Sequence, residues 1–396
     1  MKCKLCGGGN VVNFLERKNV PFMQNLIVKT ESAARGVARG DLFICYCAGC
    51  DFVFNGAFDP DLTFYGGEYD NNQTHSNCFN DYIGDIIDRL TGVGGVNNSF
   101  VVEVGCGKGD FIKKLIGGGG GAAGCRGMGF DTTYEGDLSF FDGALKFKKK
   151  YFSKENVDFT PDVIVCRHVI EHIEKPVEFL KSIKEAAGCG PALRYFFETP
   201  RIEWILEKKV IFDFFYEHCS YFSETSIGNA FESAGIAVDK IRAVFEEQYM
   251  WVEASSKPDK FKNGPEKIRR NMNVLIEEYR AAEFSFRRKC EDLLCGLSAG
   301  GAKTAVWGAG AKGVTFLNLI DPGKELIEYV IDINANKQGN YIPGSAQLII
   351  DFKKIPYYNI QNIILMNPNY RPEIQKTLDE QNIKAKIIDI TEYLKK

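Results

Sequence analysis

An apolar run that ends in alternating glycines gives the strongest indication of the fold: Phe100-Val101-Val102-Glu103-Val104-Gly105-Cys106-Gly107-Lys108-Gly109-Asp110-Phe111. The residues before the glycines have the composition of a buried strand. Glycines at the carboxyl end of such a strand let a ligand approach the backbone closely before a helix begins. The next strand-like run ends at Asp131, whose carboxylate can accept hydrogen bonds from ribose hydroxyls. We therefore predict a nucleoside-binding turn at the start of a parallel sheet.

The alternation of strands and helices extends to both sides of this turn. Strand-like runs lie at 100–104, 126–130, 162–165 and 193–197, with helical stretches between them. From residue 303 the alternation starts again, with runs at 304–307, 329–333, 363–366 and 385–390. Such alternation is typical of parallel sheets covered by helices, and 396 residues are too many for one compact core. The fold class predicted is α/β, with two such domains of which the second is smaller.

The charged segment at 257–297 separates the two domains. Its apolar residues recur at helical spacing, which predicts one long helix. The predicted domains are residues 1–65, 66–250 for the central domain, 251–300 for a helical linker, and 301–396 for the smaller domain.

Two cysteine pairs mark the first domain. Cys3 and Cys6 form one Cys-x2-Cys pair, and Cys47 and Cys50 form another. Four thiolates at this spacing make a closed tetrahedral zinc site. A segment of this size is too small to be stable through its core alone. We predict a zinc-binding domain whose metal is structural, and we assign Cys45 to packing.

Composition and charge narrow the class of function. The 49 Lys and Arg against 52 Asp and Glu give a formal charge of −3, which provides no basic surface for nucleic acid. No apolar run approaches the roughly 18 residues of a membrane span. Met1-Lys2-Cys3-Lys4 lacks the apolar stretch of a secretory signal. We expect a cytoplasmic protein, a monomer, that binds neither nucleic acid nor membrane.

The glycine turn and Asp131 resemble the class I S-adenosylmethionine-dependent methyltransferases, whose first motif has the form Glu-x-Gly-x-Gly-x-Gly. The resemblance implies a Rossmann-like central domain with S-adenosylmethionine as cofactor. The residues it assigns to the cofactor are Glu103, Gly105, Cys106, Gly107 and Asp131. A dinucleotide-binding dehydrogenase is the rival, but its Gly-x-Gly-x-x-Gly spacing is absent from this turn.

Two of the four histidines follow the strand-like run at 162–165, in Cys166-Arg167-His168-Val169-Ile170-Glu171-His172. In a parallel sheet the loop after that strand lines the same cleft as the glycine turn. The stretch also resembles the post-strand motif of the methyltransferases, which implies His168 at the cofactor and His172 in the substrate pocket. Histidines that merely cap a helix or lie on its surface are the alternative.

An acid and an imidazole stand side by side in an aromatic run, Phe212-Asp213-Phe214-Phe215-Tyr216-Glu217-His218. Apolar surroundings and a neighbouring carboxylate can make a histidine a base near neutral pH. We predict His218 as a general base that Glu217 orients. An ordinary aromatic core stretch with a surface Glu-His pair is the alternative.

The cysteine domain, the methyltransferase domain, the Glu-His loop and the second nucleotide-type domain together resemble the sugar C-methyltransferases that act on nucleotide-linked 4-ketohexoses. The resemblance covers nearly the whole chain. It implies that His218 removes a proton beside the ketone and that the resulting enolate carbon is methylated. The residues assigned to this pocket are His218, Glu217, His172, Tyr69 and Tyr216. The family has a tyrosine two residues before the glutamate, where this chain has Phe215.

A second glycine motif, Gly308-Ala309-Gly310-Ala311-Lys312-Gly313, follows a strand and precedes Asp332 by about twenty residues. Alone it would indicate NAD, but fewer than a hundred residues are too few for a complete two-lobed dinucleotide site. We predict a docking and lid domain whose loops, including 367–371, face the substrate. A purely structural half-domain is the alternative.

Two other functions stay open from sequence. An O- or N-methyltransferase with the same domains would need the base only to deprotonate a hydroxyl or an amine. A zinc-dependent scaffold could bind S-adenosylmethionine without turnover. The pair Glu217 and His218 favours an enzyme over the scaffold.

Overall fold

The computed structural model describes residues 1–63, 66–92, 94–117, 124–188, 190, 192–256 and 271–393. These residues form three β-sheets, of four, eight and five strands. None of the helices among them has the length and apolar composition needed to cross a membrane.

The amino-terminal segment is a small antiparallel sheet with one short helix. Its elements are β1 (Val11–Pro21), α1 (Glu31–Arg35), β2 (Arg39–Cys47) and β3 (Phe52–Asn55). Strand β2 pairs with β1 on one side and with β3 on the other, antiparallel in both cases. The two cysteine pairs lie before β1 and at the turn between β2 and β3.

The central domain is a twisted, mostly parallel sheet with helices between its strands. Its elements are α2 (Asn77–Thr91), β4 (Phe100–Val104), α3 (Asp110–Gly117), β5 (Arg126–Phe130), β6 (Ser139–Phe140), β7 (Leu145–Lys148), β8 (Val163–Arg167), α4 (Pro176–Ala187), β9 (Arg194–Pro200), α5 (Ile202–Lys208), β10 (Ser220–Tyr221), α6 (Glu224–Ser233), β11 (Ala237–Val244) and β12 (Tyr249–Ser255). The strand order is β11-β12-β9-β8-β4-β5-β7-β6, with β12 antiparallel to β9. The order reverses between β4 and β8, and this confirms the predicted α/β architecture.

The carboxyl-terminal part contains a long helix and a second parallel sheet. Its elements are α7 (Met272–Ser298), β13 (Lys303–Trp307), α8 (Ala311–Ile320), β14 (Tyr329–Ile331), β15 (Leu348–Ile350), β16 (Ile360–Leu365), α9 (Arg371–Glu380), β17 (Lys386–Asp389) and α10 (Ile390–Tyr393). The strand order β15-β14-β13-β16-β17 reverses between β13 and β16. All pairings in this sheet are parallel, which confirms the second, smaller Rossmann-like domain.

Most predicted strands differ from those observed by a few residues at their ends, and two predicted elements need comment. The predicted strand at 329–333 ends at Ile331, because the Asp332 carboxylate accepts a hydrogen bond from the Asn334 N–H (2.8 Å) and turns the chain. The predicted long helix is α7, but the part of the prediction at 257–270 lies outside the described residues.

The amino-terminal sheet extends into the central domain. Strand β10 pairs with β3, with Ser220 opposite Phe54 and Tyr221 opposite Val53. Leu15 of this sheet lies in the same buried apolar cluster as Phe212 before β10, and the cluster continues into α7 and α8. The small sheet therefore obtains its core from the rest of the molecule, as its size requires.

Candidate active site

A cavity of about 310 Å³ lies between the central and carboxyl-terminal domains. One wall is formed by residues that follow β8, by the end of β9 and by the loop that precedes β10. The opposite wall carries residues that follow β13, β14 and β16, including Asn367 and Tyr370. In open parallel sheets, ligands bind where the strand order reverses. In the carboxyl-terminal sheet the residues after both β13 and β16 line the cavity, whereas in the central sheet the residues after β8 line it and the glycine turn after β4 does not.

The glycine turn after β4 is joined by hydrogen bonds to Asp131 after β5. The Gly107 N–H donates to Oδ2 of Asp131 (2.9 Å), and the N–H and hydroxyl of Thr133 donate to Oδ1 (2.7 Å each). Gly105 and Gly107 have φ of +69° and +52°. A Cβ at Gly105 would collide with Val169, whereas the space beside Gly107 is open. The turn is therefore preformed, with room for a ligand next to Gly107.

Glu103 is buried beneath this turn, with one carboxyl oxygen unpartnered. It is 4% exposed, and burial raises its pKa to about 8. Among the described residues its Oε2 atom has no hydrogen-bond partner. Such an atom fits a ligand that brings a hydrogen-bond donor or a positive charge. Cys106 contributes its backbone N–H, which donates to the Phe130 carbonyl (3.2 Å), while its thiol packs in an apolar cluster.

His168 is held between two buried carboxylates. Its Nε2 lies 3.0 Å from Glu198 Oε1, and its Nδ1 lies 3.3 Å from Glu171 Oε1. Burial opposes charging of the ring, but the two carboxylates outweigh it and raise the pKa of His168 to about 9. The residue also has a φ of +53°, a strained conformation for a side chain of this size. His168 therefore presents a fixed positive charge at the cavity wall.

The residues that hold His168 in this network were not predicted from sequence. Arg167 donates through Nε to Glu198 Oε2 (2.7 Å), and the Tyr82 hydroxyl donates to Glu198 Oε1 (2.9 Å). Glu171 accepts a hydrogen bond from the Thr199 hydroxyl (3.1 Å). The available signal was Glu198 itself, an acid inside the apolar strand run Arg194–Pro200, since buried acids require cationic partners.

His218 and His172 meet at the cavity. Their ring centroids are 4.8 Å apart at an angle of 88°, and the Phe215 ring lies 4.2 Å from His218. Burial, together with the charges of His172 and Lys312, lowers the pKa of His218 well below its ordinary value. At neutral pH His218 is therefore uncharged and able to accept a proton.

Glu217 is paired with Tyr69. Its carboxylate accepts a hydrogen bond from the Tyr69 hydroxyl (2.6 Å) and from the backbone N–H of Gln24. Burial raises the pKa of Glu217. Both Tyr69 and Glu217 line the cavity, as predicted. Glu217 forms these hydrogen bonds with Tyr69 and Gln24 and not with His218, so its orienting role stays a prediction.

The structure does not bring Tyr216 into the cavity. Its hydroxyl accepts a hydrogen bond from the Asp59 N–H (3.0 Å), and its ring packs against Phe22 and Phe58. Phe215 lines the cavity in its place. The backbone conformation at residues 215 and 216 therefore places the Phe215 ring, and not the Tyr216 ring, at the cavity.

The carboxyl-terminal wall repeats the design of the glycine turn. The Ala309 N–H donates to Oδ2 of Asp332 (2.7 Å), as Gly107 does to Asp131. Beside it, the buried Lys337 donates to the Ala309 carbonyl (3.1 Å), and the buried Asn334 Nδ2 has no hydrogen-bond partner in the described part of the chain. Sequence reasoning missed Asn334 and Lys337, because nothing in their local pattern marks them.

The four predicted zinc ligands come together. Sγ of Cys3 lies 3.6 Å from Sγ of Cys50, Sγ of Cys6 lies 3.7 Å from Sγ of Cys47, and all four lie within 4.8 Å of one another. A tetrahedron of sulfurs around Zn²⁺ at about 2.3 Å needs edges of about 3.8 Å. Cys45 lies outside this group, with its thiol against Met1. The cluster therefore fits a zinc ion. A second group that could hold a metal is Glu171, His172 and His218.

Comparison with known families gives two matches along the chain. Residues 76–241 match a methyltransferase domain, and residues 271–388 match the C-methyltransferase C-terminal domain. A curated relative, C-methyltransferase NovU of Streptomyces niveus, is 23% identical over 94% of this chain and 91% of that protein. The similarity thus includes the amino-terminal cysteine domain as well as both matched domains.

Solved structures of two methyltransferases resemble part of the chain. The riboflavin-derivative dimethyltransferase RosA of Streptomyces davawensis has a TM-score of 0.36 and 17% identity, over 45% of this chain and 55% of that one. The magnesium protoporphyrin IX methyltransferase ChlM of Synechocystis PCC 6803 has a TM-score of 0.36 and 14% identity, over 48% and 90%.

Proposed function

This chain is an S-adenosylmethionine-dependent C-methyltransferase, and from that premise we propose that it methylates a carbon next to the ketone of a nucleotide-linked 4-ketosugar. The observation that supports this most directly is the neutral His218 at the wall of a cavity between two nucleotide-type domains. A ketone acidifies the neighbouring C–H, so an uncharged imidazole at this wall can remove that proton.

The residues around His218 suit the formation of an enolate. The C–H bond breaks, its proton passes to an imidazole nitrogen of His218, and its electron pair moves into the enolate. The oxygen then carries negative charge, which a hydrogen bond from His172, the imidazole beside His218 at the cavity wall, would stabilise. Tyr69 donates its one hydroxyl proton to Glu217 and so fixes that carboxyl group at the cavity wall.

The cofactor would lie at the glycine turn of the central domain. Glu103, Gly107 and Asp131 are the residues that would hold it, since they combine an unsatisfied carboxylate, an open backbone and a fixed acid. When bound, S-adenosylmethionine supplies an electrophilic methyl group. The task of the protein is to align the acceptor carbon and to exclude water, and the carboxyl-terminal domain does so by closing the far side of the cavity.

The carboxyl-terminal wall supports a substrate that carries a nucleotide. The turn at Gly308–Gly313 leads into α8, and its backbone N–H groups with the buried Lys337 suit a phosphate or diphosphate. Asp332 and the unsatisfied Asn334 amide suit ribose or base atoms. A free sugar would leave the buried Asn334 amide without a partner.

Deuterium exchange tests the proposal against O- or N-methylation. Nucleotide-linked 4-ketosugars are incubated with the protein in D₂O without cofactor, and exchange at the carbon beside the ketone is followed by NMR. We expect exchange with the native chain, none with His218→Ala, and exchange with the control His75→Ala, which removes an exposed histidine at the same cavity. Methyl transfer from S-adenosylmethionine without any such exchange would favour the O- or N-methyltransferase.

We also propose that the four-cysteine cluster holds one structural zinc ion. The sulfur distances support it, and no open ligand position remains for catalysis. Native mass spectrometry should give one zinc per chain, and Cys47→Ser should lower metal content and stability together. The control Cys295→Ser alters an exposed cysteine outside the cluster and should change neither. Full zinc retention by Cys47→Ser would exclude the four-thiolate site.

A further inference from the structure

We propose that Arg17 is a positioning residue for the general base: from outside the cavity, its guanidinium fixes the loop that carries His218. The inference rests on the proposed role of His218. Arg17 lies on β1 of the amino-terminal sheet and does not line the cavity. It acts through the backbone before Phe215.

Arg17 binds two carbonyl groups of that loop. It is 6% exposed, and it donates through Nη2 to the Ile211 carbonyl (2.6 Å) and through Nη1 to the Phe214 carbonyl (3.1 Å). These carbonyls lie at the two ends of the one-turn helix that precedes Phe215. The guanidinium therefore spans the turn and fixes both of its ends.

The guanidinium is itself held by α7. Glu283 accepts hydrogen bonds from Arg17 Nε (3.1 Å) and Nη2 (2.9 Å), a bidentate pair that leaves the outer nitrogens directed at the loop. Lysine cannot form this fork, because its ammonium is a single point of donation. Replacement by lysine keeps the charge opposite Glu283 but loses the simultaneous contact with both carbonyls.

A second anchor acts on the same loop. The Tyr221 hydroxyl accepts a hydrogen bond from the Phe215 N–H and donates to the Phe215 carbonyl, both at 3.1 Å. The Phe215 ring in turn lies 4.2 Å from the His218 ring. Arg17 fixes the loop up to Phe214, Tyr221 fixes Phe215, and His218 packs on that residue. The position of His218 against His172 therefore depends on both anchors.

The test compares Arg17→Lys with the control Arg35→Lys, which alters an exposed arginine that pairs with Glu31 on α1. We measure kcat and KM for methyl transfer, and the pKa of His218 by imidazole NMR, assigned with His218→Ala. Misplacement by about 1 Å costs about 100-fold in rate, so we expect kcat to fall about 10- to 100-fold in Arg17→Lys with KM within a few-fold. We also expect the pKa of His218 to rise towards its ordinary value, and Arg35→Lys to match the native chain.

Unchanged kcat and an unmoved His218 resonance would overturn the inference. So would a lower melting temperature as the only effect, or a loss of kcat without movement of the resonance. If Arg17→Lys does not fold, Tyr221→Phe is judged by the same criteria, since it removes only the hydroxyl that holds Phe215. Two separate measurements distinguish this inference from the proposed function. Deuterium exchange that persists in His218→Ala would refute His218 as the base. The His218 resonance, compared between the native chain and Arg17→Lys, would still show whether Arg17 positions that ring.

Discussion

At the scale of single residues, two imidazoles in one cavity differ in charge at neutral pH: one is positively charged and the other is neutral. Two carboxylates outweigh burial and raise the pKa of His168 to about 9. Burial, with electrostatic repulsion from His172 and Lys312 towards the charged form, lowers the pKa of His218 well below 6.5. One ring thus serves as a fixed cation and the other as a neutral proton acceptor.

The lowered pKa of His218 predicts the acid limb of the pH profile. The base works only when unprotonated, and a lowered pKa keeps it unprotonated at more acidic pH. The ordinary pKa of histidine is about 6.5. We expect kcat/KM to stay constant as the pH is lowered to that value and to fall only at lower pH. A rate profile in mixed buffers measures this. An acid limb centred at or above pH 6.5 would contradict it.

Glu198→Gln should be strongly destabilising. The change leaves Arg167 and His168 without their shared carboxylate in a buried site, and breaking such a pair costs about 3–5 kcal/mol. Urea unfolding measures this. The control Glu185→Gln removes an exposed partner of Lys154, and its free energy of unfolding should stay within about 0.5 kcal/mol of the native value.

The pH dependence of that loss has a definite sign. The folded pKa of His168 is raised from 6.5 to about 9, so its contribution to stability is fully present below pH 6.5 and is lost as the pH rises through 9. The difference between the native chain and Glu198→Gln should therefore narrow over that interval. A difference that widens with pH would show that His168 is not charged by these carboxylates.

At the scale of elements, α9 of the carboxyl-terminal domain caps α2 of the central domain. Glu373 accepts hydrogen bonds from the Ser76 hydroxyl (2.6 Å) and the Asn77 N–H (2.7 Å). A carboxylate at this position satisfies free N–H groups and complements the helix dipole. This helix cap therefore joins the two domains that enclose the cavity, because one domain supplies the helix and the other supplies the carboxylate.

Glu373→Gln removes the charge of this cap and keeps its shape. We expect a loss of about 0.5–1 kcal/mol in the free energy of unfolding, larger at low salt because the dipole interaction is screened. Urea unfolding at two salt concentrations measures it. Glu380→Gln on the same helix is the control, since it pairs only at the surface with Lys376. Equal losses in both variants would rule out a charge-dependent cap.

The sequence pattern correctly predicted those strands whose bounds are set by neighbouring residues in the chain. Strands β4 and β5 have the predicted bounds, because apolar runs between glycine turns define them. Strand β10 has two residues, and its partner β3 lies more than 160 positions earlier, so no local window could reveal it. The choice between Phe215 and Tyr216 at the cavity, and the partners of Glu198, also depend on contacts between distant segments.

At the scale of the whole molecule, one buried cluster joins the amino-terminal sheet, the loop before β10, α7 and α8. Asp70 adds a polar connection, since it lies 3.4 Å from Lys108 of the glycine turn and accepts a hydrogen bond from Asn336 of the carboxyl-terminal domain (3.2 Å). The segment with Tyr69 thus connects the glycine turn to the carboxyl-terminal domain. The domains share a core and should unfold together.

Removal of the proposed zinc ion tests this cooperativity. We expect a chelator to lower the melting temperature of the whole chain in one transition, rather than to melt the amino-terminal sheet alone. Trp204 reports on the shared core, Trp251 on the central sheet and Trp307 on the carboxyl-terminal sheet. Single-tryptophan variants followed by fluorescence should give coincident curves with far-UV circular dichroism. Separate transitions would show that the domains are independent.

The pairing of β10 with β3 also has a consequence during synthesis on the ribosome. Strand β3 ends at Asn55, and its partner ends at Tyr221, so the nascent sheet lacks that neighbour while the ribosome adds the residues between them. At about 5–20 residues per second this takes roughly 10–30 seconds. An unpaired strand edge can pair with another chain in that time. Slower translation should therefore increase the demand of this protein for chaperones that shield nascent chains.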